Sequence, residues 1–230
     1  MSSSPTRNFR PDGTLVIVSG PSGAGKTTLI NRVRQELRQL DIHLHFSVSH
    51  TTRERRQTES EGVDYYFVRD DGFRSMIERE EFIEWARVHE QMYGTSKGEV
   101  QARLERGENV ILDIDVQGAH QIAEGPLRSR SLLIFLFPPS FEELERRLRN
   151  RGLNSEAEIE LRLEKALGEI ERGFDFYDYV IINDDLTIAG SCLKSAIIAK
   201  KLWSKTALGA LREMAQRFKE ERSGKTTGRD

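Results

Sequence analysis

The sequence predicts an α/β fold, a central parallel sheet of five strands flanked on both faces by helices. Two observations predict it. Short, nearly continuous apolar runs recur at residues 14–19, 43–49, 109–113, 131–137 and 179–183; such runs suit strands buried on both faces rather than on one. Amphipathic helical patterns separate most of them, and alternating strands and helices build parallel sheets with helical layers on either side.

Taken in order, residues 1–13 are polar and read as a loose tail. The first strand runs into Gly20-Pro21-Ser22-Gly23-Ala24-Gly25-Lys26-Thr27, which fits the pattern G-x-x-x-x-G-K-[ST]. Glycines there let the loop wrap closely around phosphate oxygens and turn its N–H groups inward. Lys26 can reach the β- and γ-phosphates of a nucleotide, and the Thr27 hydroxyl can ligate Mg²⁺. The helix that follows, over 27–40, places Leu29, Ile30, Val33 and Leu37 toward the core and adds its positive end to the phosphate site. Gly224-Lys225-Thr226 repeats only the end of this motif, with Lys219 in place of the first glycine, and carries no function.

Residues 51–97 break the alternation. They open with the basic loop Thr52-Arg53-Glu54-Arg55-Arg56 and continue with short strand-like pieces at 65–68 and 82–88, as an inserted subdomain would. Further on, helical patterns follow over 141–148, with Phe141, Leu144 and Leu148, and over 155–173. The latter opens on the capping box Ser155 and Glu158 and aligns Ile159, Leu163, Leu167 and Ile170.

Composition narrows the class. With 35 basic and 37 acidic side chains the net charge is −2, so no charge excess advertises a nucleic-acid or membrane partner. The longest apolar run, at 132–137, is far shorter than the roughly 18 residues of a transmembrane helix, and residues 1–7 lack the apolar core of a signal peptide. One cysteine, Cys192, precludes an internal disulfide and a Cys-based zinc site. A soluble cytoplasmic protein is expected.

Beyond the phosphate loop, residues 47–56, then Glu59, Gly62 and Tyr65, closely resemble the acceptor segment of guanylate kinases. The likeness continues through Phe82-Ile83-Glu84-Trp85-Ala86, Tyr93-Gly94-Thr95 and residues 111–118, and reaches residues 147–152, Arg162 and Asn183-Asp184-Asp185. It departs at Arg55 and Thr58, where the family has Pro and Gly, which bears on the acceptor loop's conformation.

The resemblance implies a bacterial-type P-loop kinase with a mixed α/β GMP-binding insertion and a helical lid. Its layout would be core 14–50, 98–148 and 172–200, insertion 51–97 and lid 149–171; the resemblance says little of residues 201–230, whose charge and pattern read as a basic helical tail. It implies ATP-dependent phosphorylation of GMP, and of dGMP, in purine nucleotide metabolism, with Mg²⁺ accompanying ATP. Gly20 to Thr27 with Thr28 would bind the ATP phosphates, and Asn183 would lie near the adenine. Arg53 and Arg56, assisted by Tyr65, would hold the GMP phosphate through charge-assisted hydrogen bonds. Glu84 and Asp115 would accept from the N–H groups of guanine, with Ser49, Tyr93 and Thr95 adding contacts. Arg147, Arg151 and Arg162 would converge on the transferring phosphate from the lid. Asp113, ending a buried strand where an unpaired carboxylate is expensive, has a hydrated Mg²⁺ beside Thr27 as its natural partner, reached through water.

A non-catalytic guanylate-kinase-like binding module is the main alternative, and retention of Lys26, Arg53, Arg56 and Arg151 argues against it. A P-loop kinase for a phosphorylated sugar is the second, disfavoured by Ser49, Glu84 and Asp115. His43 and His45 lack further ligands for a metal. The tail's stripe of Leu208, Leu211, Ala215 and Phe218 suits packing on the core or on another subunit of a homo-oligomer.

Overall fold

The computed structural model describes residues 13–88, 90–150, 155–171 and 175–202, together with 212, 214–216 and 218. Its elements run β1 (Leu15–Ser19), α1 (Lys26–Arg38), β2 (Leu44–Phe46), β3 (His50–Thr51), β4 (Tyr66–Phe67), α2 (Asp70–Glu78), β5 (Phe82–Val88), β6 (Gln91–Ser96), α3 (Lys97–Glu105), β7 (Asn109–Asp113), α4 (Val116–Glu124), β8 (Ser131–Phe137), α5 (Phe141–Asn150), α6 (Glu156–Glu171), β9 (Tyr179–Ile182) and α7 (Leu186–Leu202).

Five strands form a parallel sheet in the order β2-β7-β1-β8-β9. Central β1 explains why the sequence shows a run rather than an alternation. Val16 and Val18 face Leu29, Ile30 and Val33 of α1 and Leu193 and Ile197 of α7. Leu15 and Ile17 face Val100 and Leu104 of α3 and Ala119 and Ile122 of α4. Both faces are dry, so Leu15 to Val18 are all apolar, and only Ser19, where the strand runs into the loop, is polar.

The expected strand at 43–49 divides. Leu44–Phe46 pairs with β7 and the Ser47 N–H still reaches the Ile111 carbonyl at 3.1 Å, but the chain then crosses to a second sheet at His50. That sheet has the order β4-β3-β6-β5, with β3 and β4 parallel and the other pairs antiparallel. It is backed by α2, whose Phe73 stacks on Phe82 at 4.6 Å between ring centroids and packs with Met92.

α5 and α6 cover the β8 end of the core through Leu144, Leu148, Ile159 and Ala166 against Phe135 and Phe137. The capping box forms: the Ser155 hydroxyl accepts from the Glu158 N–H at 3.3 Å, and the Glu158 carboxylate accepts from the Ser155 N–H at 2.7 Å. The face of α6 differs from expectation at one position. Ala166 is buried and Leu167 is 47% exposed, because at 100° per residue Ala166 continues the 159–163–170 stripe and Leu167 falls off it. Of the C-terminal stripe, Leu208 and Leu211 lie outside the described residues, and Phe218 is exposed.

Candidate active site

The loop between β1 and α1 gathers the residues expected to bind phosphate. Two glycines are dictated by geometry. Gly20 has φ of 140°, and a Cβ there would stand 2.1 Å from the Leu136 carbonyl oxygen; Gly25 has φ of 90°, and its Cβ would meet the Asn183 amide nitrogen at 2.6 Å. Left-handed backbone and close approach both exclude a side chain. Lys26 Nζ donates to the carbonyls of Gly20 at 2.8 Å and Pro21 at 3.3 Å and stands 3.8 Å from Asp113. The ammonium thus lies folded across the loop's mouth. Thr27 Oγ1 donates to Asp113 Oδ2 at 2.8 Å, which brings the two expected metal-site residues together across 86 positions of sequence.

Asn183, at the end of β9, is buried, and its amide donates to the Ala24 carbonyl at 2.8 Å. Its side chain therefore holds the loop. Arg147 Nη2 donates to the Asn183 carbonyl at 2.9 Å, while Arg147 Nε donates to Glu143 at 2.6 Å. A cleft of about 390 Å³ opens beside them, lined by Gly23, Gly25, Thr28, Arg147, Asn183 and Leu186 among others.

The acceptor-side residues surround the junction of α4 with the second sheet. Glu84, on β5, is 4% exposed. Thr95 Oγ1 donates to its Oε1 at 2.5 Å. Burial, reinforced by the charge of Asp115, pushes the Glu84 carboxyl up to about 7 against the hydrogen bond from Thr95. Its other oxygen reaches α4 because residue 118 is glycine: a Cβ there would come within 2.2 Å of Glu84 Oε2. Asp115 caps α4, accepting from the Gly118 N–H at 3.0 Å, and its second oxygen accepts from Gln117 at 3.0 Å. Ser49 and Tyr93 are half-buried nearby in chain and sheet terms, on the approach to β3 and on β6.

Arg53 is fixed before any ligand arrives. Its Nη2 donates to Glu59 Oε1 at 2.7 Å, and its guanidinium lies over the rings of Tyr65 and Phe67 at 5.4 and 5.9 Å. Glu59 Oε2 accepts from the Arg56 N–H at 2.9 Å, so one carboxylate organises both arginines. Burial pushes the Tyr65 hydroxyl up to about 12, and Asp113 is close enough to contribute to that shift. The Arg56 side chain is exposed.

Of the three arginines expected at the transferring phosphate, Arg147 reaches the phosphate loop. Arg162, on α6, has its Nε buried without a hydrogen-bond partner, and Arg151 lies outside the described residues. Glu59, Gln117, Gly118, Gln121 and Glu143 were not among the expected site residues. Glu59, Gln117 and Gly118 lie in segments that carry the family resemblance but were given no role by it, and Gln121 and Glu143 carry no such signal. Glu59 and Glu143 act within their own loop and helix, and Gly118 and Gln121 on β5.

The oxygen donors of Thr27 and Asp113 fit Mg²⁺, a hard cation that takes one or two protein oxygens and otherwise water and phosphate. Among the described residues no group of three or more His, Cys, Asp or Glu side chains could hold a metal on its own. His45 pairs with Glu99 and His43 with Asp41, as separate contacts.

A loop of this geometry at the end of the central strand of a parallel sheet, facing an inserted sheet with an arginine clamp, defines a P-loop kinase. Residues 12–200 match the family model described as guanylate kinase. The chain belongs to the guanylate kinase family. It is 40% identical to a guanylate kinase of Zymomonas mobilis over 90% of this chain and 94% of that one, and 46% identical to one of Geobacter metallireducens over 84% and 92%. The crystal structure of guanylate kinase from Anaplasma phagocytophilum superposes with a TM-score of 0.68 at 30% identity, covering 86% of this chain and 90% of that one.

Proposed function

We propose that this chain transfers the γ-phosphoryl group of ATP to GMP, and to dGMP, with the residues above in the roles that follow. One observation carries the reading. The end of β7 and the start of α4 reach both half-sites within six residues: Asp113 bonds Thr27 of the phosphate loop, while Gly118 abuts Glu84 and the charge of Asp115 acts on it. A donor phosphate site and a buried base-reading carboxylate are thereby held on one short rigid segment. Positioning of this kind supplies most of what phosphoryl transfer requires.

Residues 20–28 cradle the ATP phosphates, with Lys26 neutralising charge between the β- and γ-groups. Bound with ATP, Mg²⁺ would add charge neutralisation at those phosphates, held by Thr27 and, through water, by Asp113. Asn183 and Arg147 shape the nucleoside side of the cleft. Arg53, Arg56 and Tyr65 hold the GMP phosphate, and Glu84, Asp115, Ser49, Tyr93 and Thr95 hold its base. Because that phosphate has a second pKa of about 6, it is a ready nucleophile near pH 7 and needs no general base. Arg151 and Arg162, in a lid at 149–171, close with Arg147 on the transferring group and exclude water that would hydrolyse ATP. We place the enzyme in the cytoplasm and in purine nucleotide metabolism; among the described residues no helix is long and apolar enough to cross a membrane.

The test is a transfer assay with ATP, Mg²⁺ and a panel of nucleoside monophosphates, in which GMP and dGMP should be used and AMP rejected. Equal use of AMP, or no transfer to any of them, overturns the reading. Two substitutions separate the roles. Arg53→Ala should raise KM for GMP about 10- to 100-fold, the scale of a lost charge-assisted pair, with kcat less affected. Arg162→Ala should instead lower kcat by about 10²-fold with a small change in KM for GMP, since its donors meet the phosphate in the closed complex. Steady-state kinetics at saturating ATP distinguishes the two patterns.

A further inference from the structure

β5 is an edge strand. It pairs with β6 on one side, and the N–H and C=O groups of alternate residues face outward on the other. That open edge is met by a helix. Gln121 of α4 accepts from the Trp85 N–H at 3.1 Å and donates to the Trp85 carbonyl at 2.6 Å. One turn earlier Gln117 donates to the Arg87 carbonyl at 3.4 Å. The spacing is a physical match: four residues of helix rise about 6.0 Å and two residues of strand about 6.8 Å. The primary amide of Gln121 presents one acceptor and two donors, so it pairs with a residue's backbone as a neighbouring strand would.

The same stretch of helix governs the base site. Trp85 directly follows Glu84, Gly118 leaves the space that Glu84 Oε2 enters, and Asp115 caps the helix. We infer that Gln121, supported by Gln117, is a positioning residue that locks β5 onto α4 and so sets the separation of Glu84 from Asp115, on which discrimination of guanine from adenine depends. Gln121 itself touches no substrate; it acts through the backbone next to Glu84. The inference rests on the reading of Glu84 as a base reader.

Gln121→Leu keeps the volume and removes both hydrogen bonds, while Gln121→Glu keeps the acceptor for the Trp85 N–H and loses the donor. KM for GMP should rise about tenfold in the leucine variant, the scale of two lost hydrogen bonds, and at least as much in the glutamate variant, whose acceptor-only carboxylate meets the Trp85 carbonyl oxygen. KM for ATP should stay within about twofold, and the preference for GMP over AMP should narrow. A purely structural role would lower the melting temperature and scale kcat for both nucleotides without moving that preference. The full-length protein is assayed with ATP, Mg²⁺, GMP and AMP, alongside Glu84→Gln as reference. An unchanged KM for GMP and unchanged preference in both Gln121 variants, while Glu84→Gln alters the preference, overturns the positioning role. If Glu84→Gln leaves the preference unchanged, the base-reader reading has failed instead, and the Gln121 inference falls with it.

Discussion

Lys26→Ala should reduce phosphoryl transfer by at least about 10³-fold in kcat, the scale of removing one preorganised electrostatic stabiliser. The ammonium rests on the Gly20 and Pro21 carbonyls at 2.8 and 3.3 Å, with Asp113 at 3.8 Å. It therefore sits where the loop opens toward phosphate. To meet the charge that develops on the transferring group, this cation need only turn from the loop carbonyls that now hold it. The fold should survive, because the side chain takes no part in the apolar clusters on either face of the sheet. Parallel measurements of kcat and thermal unfolding test both halves. Near-normal turnover would remove Lys26 from the donor site; a large drop in melting temperature would make its role structural.

Glu84→Gln should lower kcat/KM for GMP steeply and narrow a GMP-to-AMP preference that sites of this kind can bring to roughly 10⁴. Guanine offers N1–H and N2–H donors, whereas adenine presents a bare acceptor at N1 and has no N2 amine. AMP in the same pose leaves the carboxylate unpaired in a buried site, and the penalty of that unpaired group is the selectivity. Glutamine keeps the shape, exchanges one acceptor for a donor and removes the charge, so GMP loses and AMP is repelled less. If the ratio does not move, Asp115 must carry the discrimination.

The same residue predicts two pH dependences. Burial holds the carboxyl up at about 7, so the ionised form that accepts both guanine donors is incomplete at neutral pH in the free enzyme. The kcat/KM for GMP should rise with pH through about 7 in the parent protein. The glutamine variant should retain only the ionisation of GMP itself, near a pKa of about 6. Stability should run the other way. With its folded pKa above the ordinary 4.5, Glu84 binds its proton more tightly in the folded chain. Its contribution is therefore fully present below about 4.5 and is lost as pH rises through about 7. Glu84→Gln should thus gain in melting temperature relative to the parent between pH 5 and pH 8.

How much of this was legible beforehand depends on how far apart the cooperating residues lie. The phosphate loop was legible in full, because Gly20 to Thr27 is contiguous and sits between a readable strand and a readable helix. So were the apolar runs of β1, β7 and β8, since a strand dry on both faces needs no partner to reveal its composition; β9 was legible as a strand, but as the sheet's edge it buries only Ile181 and leaves Tyr179, Val180 and Ile182 about half exposed. The capping box at Ser155 and Glu158 spans four residues and forms as written. Short strands were not legible: β3 has two residues and β6 carries Gly94 at its centre; β6 is a strand because β5 provides a ladder for it, and β3 because β6 and β4 do.

The carboxylates show the division most sharply. Local sequence by itself does not separate Glu84 from Glu80, Glu81 and Glu90 around it, and resemblance alone singled it out. Its burial is decided by Gly118, 34 positions away, which leaves room for the carboxylate against α4, and by Thr95 across the ladder. Glu59 joins Arg53 to Arg56 inside a loop without periodicity, and Gln121 meets Trp85 across 36 positions. What the sequence by itself determined was every feature whose physics is local: the glycine-rich cradle, the helix caps and the apolar runs that demand a two-sided core. Which charged side chain is buried, and therefore shifted and selective, only the tertiary structure decided. The desolvation that shifts a carboxyl depends on all the atoms packed around it, and those arrive from distant parts of the chain.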